Sequence, residues 1–277
     1  MPLKLRVLGL KPRQRKLFEK LIQRDHHFGG VSLMATGQMG SGKTTLLQKL
    51  AWGIWNIYPE EVIIWRGMFS CQWTNFLELK MPVRLIYIGP EPIAVNPYTG
   101  DPVFLAELAE LKPCSDINEV LGALGPDRVN VVYLWAPDPV SFTKSWLDLF
   151  EALVSRPHGW VSIFFDELED LAPSSSVGEL WAQVERAARI IKEFRKRLIS
   201  FYAASQVYSD VDYRVFRKFQ WQAYLRGARV PRGSRLWQKA VDALKTGWLW
   251  LVGGGEYTTY PFAPVPLGPP VLITNYK

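Results

Sequence analysis

Eight consecutive residues, Gly37-Gln38-Met39-Gly40-Ser41-Gly42-Lys43-Thr44, have the types and spacing to hold a chain of phosphates: glycine, four residues, then Gly-Lys-Thr. Glycines at 37, 40 and 42 let the backbone curl so that successive N–H groups point inward. The amino end of a following helix would add its positive pole to that cradle. Lys43 would reach the terminal phosphates as a point charge, the Thr44 hydroxyl would sit on a magnesium ion, and Thr45 is counted with them among the nucleotide-binding residues. ATP with Mg2+ is the ligand this chemistry predicts. A second set of groups is Asp166-Glu167, which ends the apolar run Trp160-Val161-Ser162-Ile163-Phe164-Phe165. Two carboxylates at the carboxyl end of a buried strand stand where ligands of parallel sheets bind. Asp166 would hold magnesium through water, and Glu167 would orient and deprotonate an attacking water. Glu169 and Asp170 are expected to stay solvated. His26, His27 and His158, the three histidines, have no partner at metal-ligand spacing, so zinc and histidine-based catalysis are not expected.

These groups need strands and helices to position them. Val31 to Ala35 is an apolar run before the loop, and Leu46, Leu47, Leu50 and Ala51 give the helical period after it. Further strands are predicted at 62–65, 83–88, 129–135, 160–165 and 199–204. Helices are predicted at 140–154 and 177–198, the latter with Leu180, Val184, Ala187, Ile191, Phe194 and Leu198 on one stripe. Strands alternating with helices imply a parallel, doubly wound α/β sheet with helices on both faces. Gly253-Gly254-Gly255 supplies the positive-φ residues of a C-terminal β-hairpin between 249–252 and 257–260. Residues 11–26 form a basic amphipathic helix with six Lys or Arg, whose charges are expected to be solvated. The division expected is one domain over 1–277: a basic N-terminal helical segment (1–30), an ATPase core (31–262) with a proline-rich insertion over the sheet edge at about 89–128, and a proline-rich tail (263–277).

A chain of 277 residues suffices for one large core. The net charge of +7 favours a polyanionic partner without requiring one. Cys71 and Cys114 are too few for a disulfide framework or a zinc site and read as packing residues in a reducing compartment. The N-terminus is charged, and no stretch reaches the ~18 apolar residues of a membrane span. A soluble, cytoplasmic protein is expected.

The order of phosphate loop, apolar strand ending Asp166-Glu167, long helix, Phe194-Arg195-Lys196-Arg197, then Ser200-Phe201-Tyr202-Ala203-Ala204-Ser205-Gln206 resembles the FtsK/HerA superfamily of ring-forming, DNA-translocating ATPases. The likeness spans roughly 31–262 and is nearest to the compact genome-packaging or extrusion ATPases of viruses and mobile elements. It implies a RecA/ASCE-like P-loop fold. Its sensor glutamine falls on Gln206, and its trans-acting arginine best on Arg195, with Arg189 and Arg197 as alternatives. Ser205 stands where the family usually has threonine. The partners implied are double-stranded DNA, further copies of the chain in a hexameric ring, and a capsid or membrane-assembly partner, in a host cytoplasm if the source is a virus. The resemblance assigns catalysis to Lys43, Glu167 and Gln206 with Arg195 of a neighbouring copy. Two other classes fit the phosphate loop: a small-molecule phosphotransferase, which has no need of a water-activating glutamate, and an ATP-gated scaffold, which needs neither Lys43 nor Glu167.

Overall fold

The computed structural model describes residues 9–25, 29–156 and 158–276. His26 and His27 lie outside the described residues. The main sheet has ten strands in the order β12-β11-β10-β1-β9-β8-β2-β7-β3-β6. Its strands are β1 (Ser32–Thr36), β2 (Val62–Arg66), β3 (Val83–Ile88), β6 (Glu110–Cys114), β7 (Val129–Leu134), β8 (Val161–Phe165), β9 (Ile199–Ser205), β10 (Trp221–Leu225), β11 (Trp248–Gly253) and β12 (Glu256–Pro261). From β10 to β6 the pairings are parallel, while β11 and β12 run antiparallel. Two short strands, β4 (Ala94–Val95) and β5 (Pro102–Val103), form a small second sheet with β13 (Leu272–Ile273). This is the α/β P-loop architecture with the C-terminal hairpin that the sequence predicts.

Every residue of β1, β8 and β9 is buried. The cause is that helices cover both faces, so these strands read as apolar runs instead of alternating. On one face lie α1 (Pro12–Leu21) and α2 (Lys43–Ile57), packing Leu17, Phe18, Leu21, Leu46, Leu50 and Ile54. On the other lie α3 (Ile117–Ala123), α4 (Pro139–Ser155) and α5 (Gly178–Phe194), packing Val120, Trp146, Phe150, Val184, Ile191 and Phe194. Asp138 caps α4 through the Ser141 N–H at 2.9 Å. Arg186 fastens α5 to α4, donating to Glu151 and Asp148 at 2.6 to 2.7 Å. Cys71 and Cys114 are buried and free.

Two segments, the end of the long helix and residues 89–128, differ instructively from expectation. The long helix does not run to Leu198: α5 ends at Phe194, a 3-10 turn spans Arg195–Arg197, and Leu198 takes a left-handed backbone, φ +56°. The chain must turn within these residues to enter β9. Residues 89–128 do more than cover the edge, since β6 pairs with β3 and lengthens the sheet, and α3 packs on its face. The tail is strapped back: Ile273 N–H donates to Phe69 O at 2.8 Å and the Tyr276 hydroxyl to Pro90 O at 2.7 Å. In the hairpin, Gly253 pairs with Glu256, and Gly254 and Gly255 (φ +54° and +82°) form a two-residue turn of the I′ kind.

Candidate active site

The phosphate loop leaves the carboxyl end of β1 and enters α2. Gly37 is boxed in, since a Cβ there would stand 2.5 Å from Ser41 Oγ and 2.9 Å from Leu225 Cβ. Gly42 has φ +97° with the Phe262 ring behind it, so a side chain at this point would be strained by its backbone and crowded as well. Gly42 is the N-cap of α2 and no side chain caps that helix, which leaves the first-turn N–H groups, those of Lys43 to Thr45, available to an anion. Lys43 arches over the loop, its ammonium donating to Gly37 O at 2.8 Å and Gln38 O at 3.2 Å. Partial burial lowers the Lys43 pKa, and the negative charges of Asp166, Glu169 and Glu167 oppose that shift.

β8 delivers the carboxylates beside this loop. The Thr44 hydroxyl donates to Asp166 Oδ2 in a short contact, and Asp166 Oδ1 accepts the Glu167 N–H at 3.1 Å. A hydroxyl and one carboxylate, with phosphate and water oxygens for the remaining positions, suit an octahedral, oxygen-seeking ion such as magnesium. Among the described residues no group of three or more His, Cys, Asp or Glu converges as a self-sufficient metal cage. Glu167 is half-buried and held at φ +56°, ψ +63°, a backbone that few non-glycine residues adopt. Burial raises its pKa; Arg66 opposes this, and Asp170, Asp166 and Glu169 add to it. A cleft of about 550 Å³ opens beside it, lined by Arg66, Met68, Phe69 and Leu272 to Thr274 of the tail.

The expectation of solvation holds for Asp170, which is exposed, and is corrected for Glu169. Glu169 is partly buried, and its burial raises its pKa. Asp170 pairs with Arg66 at 2.5 Å. Leu168–Asp170 form a 3-10 turn just after the two carboxylates, with Leu168 buried beneath it.

Arg66, the last residue of β2, is the participant that sequence reasoning missed. Only 3 % exposed, it donates to Asp166 O at 2.6 Å and Glu167 O at 3.0 Å, with its guanidinium carbon 4.8 Å from the Phe165 ring centroid and 5.0 Å from that of Phe142. It therefore fixes from behind the turn that carries both carboxylates. An arginine closing an apolar strand was the available signal, but its meaning depends on β2 lying against β8.

Gln206 stands exposed at the tip of β9, one strand from β1. Arg195 lies at the other end of β9, where its carbonyl accepts the Gly30 N–H at 3.1 Å. The structure thus gathers Lys43, Thr44, Asp166, Glu167 and Gln206 along one sheet edge and leaves Arg195 at the opposite one.

The parallel order and the loop between β1 and α2 define a P-loop nucleoside triphosphatase fold. A solved structure shares it. The chain aligns with a bacterial conjugative coupling protein, TrwBΔN70, over 92 % of both chains, with TM-score 0.55 and 12 % identity. It also aligns with B204, the DNA-packaging ATPase from Sulfolobus turreted icosahedral virus, over 85 % of this chain and 99 % of that one, with TM-score 0.49 and 10 % identity. At such identities the likeness is one of fold. No family profile matches the sequence, and no curated protein does.

Proposed function

We propose that the protein is an ATPase that moves double-stranded DNA through a ring of its own copies, in genome packaging or DNA transfer for a virus or mobile element. The observation that carries the reading is the contact of Thr44 with Asp166. It joins the phosphate loop to the acidic strand end, where Glu167 is the next residue along the chain. The loop N–H groups and Lys43 would hold the triphosphate. Thr44 and Asp166 would hold magnesium, which when bound supplies neutralisation of charge on the phosphate oxygens. Glu167 would take the proton of a water whose oxygen attacks the γ-phosphorus as the bond to the ADP oxygen breaks. Gln206, at the β9 tip, would sense that phosphate.

Support for DNA as the cargo comes from the FtsK/HerA resemblance, the fold shared with a conjugative coupling protein, and the net charge of +7. Support for a ring comes from the same resemblance, which maps a trans-acting arginine best onto Arg195, a residue at the opposite end of β9 from its own loop. A trans arginine contributes about 10³ to 10⁵ in rate. The test is ATPase rate per subunit against protein concentration, with and without duplex DNA. The expected result is a rate that climbs as subunits associate and climbs further with DNA. A rate that stays constant down to monomers and ignores DNA overturns the proposal.

A further inference from the structure

The connection from β10 to β11 carries Arg226, Arg229, Arg232 and Arg235, one cation every third residue, followed by Lys239. All five side chains are exposed. None of the four arginines has an acidic partner among the described residues, whereas Arg24, Arg66, Arg84, Arg128, Arg186 and Arg214 are each paired. An unpaired basic series is a common surface feature, so the shape of this one has to decide.

It is built, not loose. Ala228, Leu236, Val241 and Leu244 are buried with Tyr224 in a cluster of their own. Gln238 clamps the segment across its width, donating to Ala228 O at 2.9 Å and accepting the Val230 N–H at 2.9 Å. Between the clamps, Ser234 N–H donates to Pro231 O at 3.1 Å and Gly233 turns the chain at φ +80°. The arginines thus project from a fixed scaffold, and ordering entropy that a mobile basic tail would lose on binding is already lost.

The scaffold is also attached to the phosphate loop. Gln38 N–H donates to Arg226 O at 3.2 Å, and a Cβ at Gly227 would stand 2.3 Å from Gln38 Oε1, so the two loops are in direct contact. A guanidinium fork matches a phosphate oxygen pair, and a series of them matches a polymer of phosphates better than any single anion. We infer that Arg229, Arg232 and Arg235 form a contact surface for the phosphodiester backbone of duplex DNA, and that Arg226 transmits its occupancy to the phosphate loop through Gln38. This inference rests on the proposed function and assigns its DNA contact to a particular loop.

The experiment uses the full chain with a fluorescent random-sequence duplex, and a single strand of equal length as comparator, titrated across a salt series. The combined variant Arg229→Ala, Arg232→Ala, Arg235→Ala changes exposed side chains alone and should fold. The expected result is duplex binding weakened about 30-fold or more at about 100 mM salt, a slope of log affinity against log salt shallower by about 2 to 3, and loss of DNA-stimulated hydrolysis with basal hydrolysis unchanged. A variant that binds and responds to duplex as the parent does overturns this inference while leaving the DNA motor standing. So does a loss confined to the single strand. Failure of the parent chain itself to bind duplex removes the motor reading as well, and the two failures are therefore distinguishable.

Discussion

Two arginine–carboxylate clusters occupy opposite ends of the same strands and are finished differently. At the amino ends, Arg24 donates to both oxygens of Glu61 at 2.7 Å, to Ser162 at 2.9 Å and to Tyr202 at 3.3 Å. The Arg24 and Glu61 side chains are 4 % and 0 % exposed. At the carboxyl ends, Arg66 grips Asp170 and two carbonyls, yet Arg66 Nε, Glu169 Oε2, Thr36 Oγ1 and Ser41 Oγ are buried without a hydrogen-bond partner. A buried polar atom left unpaired costs about 1 to 3 kcal/mol, so closing such groups is the default. The cluster that closes every donor holds the sheet together. The one that leaves polar atoms open, and keeps Glu167 in a left-handed backbone, lies beside the phosphate loop.

The sharpest way to test this contrast is Glu167→Gln. Nucleotide binding should persist while turnover falls about 10² to 10⁴-fold, measured by phosphate release beside a binding titration. Stability should move the other way. Because burial raises the folded-state pKa of Glu167 above its ordinary 4.5, its ionised form opposes folding, and this penalty grows as pH rises above 4.5 and is complete once pH has passed the folded value. The glutamine variant should therefore be more stable than the parent at neutral pH, with the gain vanishing below pH 4.5. Retained turnover would remove Glu167 from the base role, and a loss of stability at pH 7 would break the idea of an unfinished cluster.

Arg24→Ala probes the other end. It strands Glu61 in the interior and should cost about 3 to 5 kcal/mol in denaturant unfolding, while the folded fraction keeps its turnover. A cost below about 1 kcal/mol would mean that the closed cluster does not hold the sheet. A smaller effect is expected from Arg66→Lys, which keeps the charge and loses the fork. Misplacing the Asp166-Glu167 turn should lower turnover about 10- to 100-fold with KM for ATP nearly unchanged. Equal changes in both constants would assign Arg66 to binding instead of to positioning.

The contrast also sorts what the sequence made legible. The phosphate loop was readable because its chemistry is local, eight residues with a strand before them and a helix after. Asp166 and Glu167 were readable because an apolar run ends in them. Arg24 was read as one cation of a solvated basic helix, and nothing within residues 11–26 shows that Glu61, Ser162 and Tyr202 converge on it. Arg66 was hidden in the same way: its partners lie 100 and more residues further along the chain and meet it only through the pairing of β2 with β8. Local spacing reveals groups that act within one turn or one strand end. Groups that act across strands become visible only with the sheet order.

That sheet order bears on biosynthesis. The strand feeding the phosphate loop is flanked by β9 and β10, the Val31 amide bonding Ser200 from 169 residues away. Much of the chain must therefore emerge from the ribosome before β1 has either lateral neighbour. Pairings this remote form late and slowly. Until then the nascent protein carries a complete nucleotide-binding signature on a strand with no sheet around it, so ATP is in a position to stabilise only the last stage of its folding.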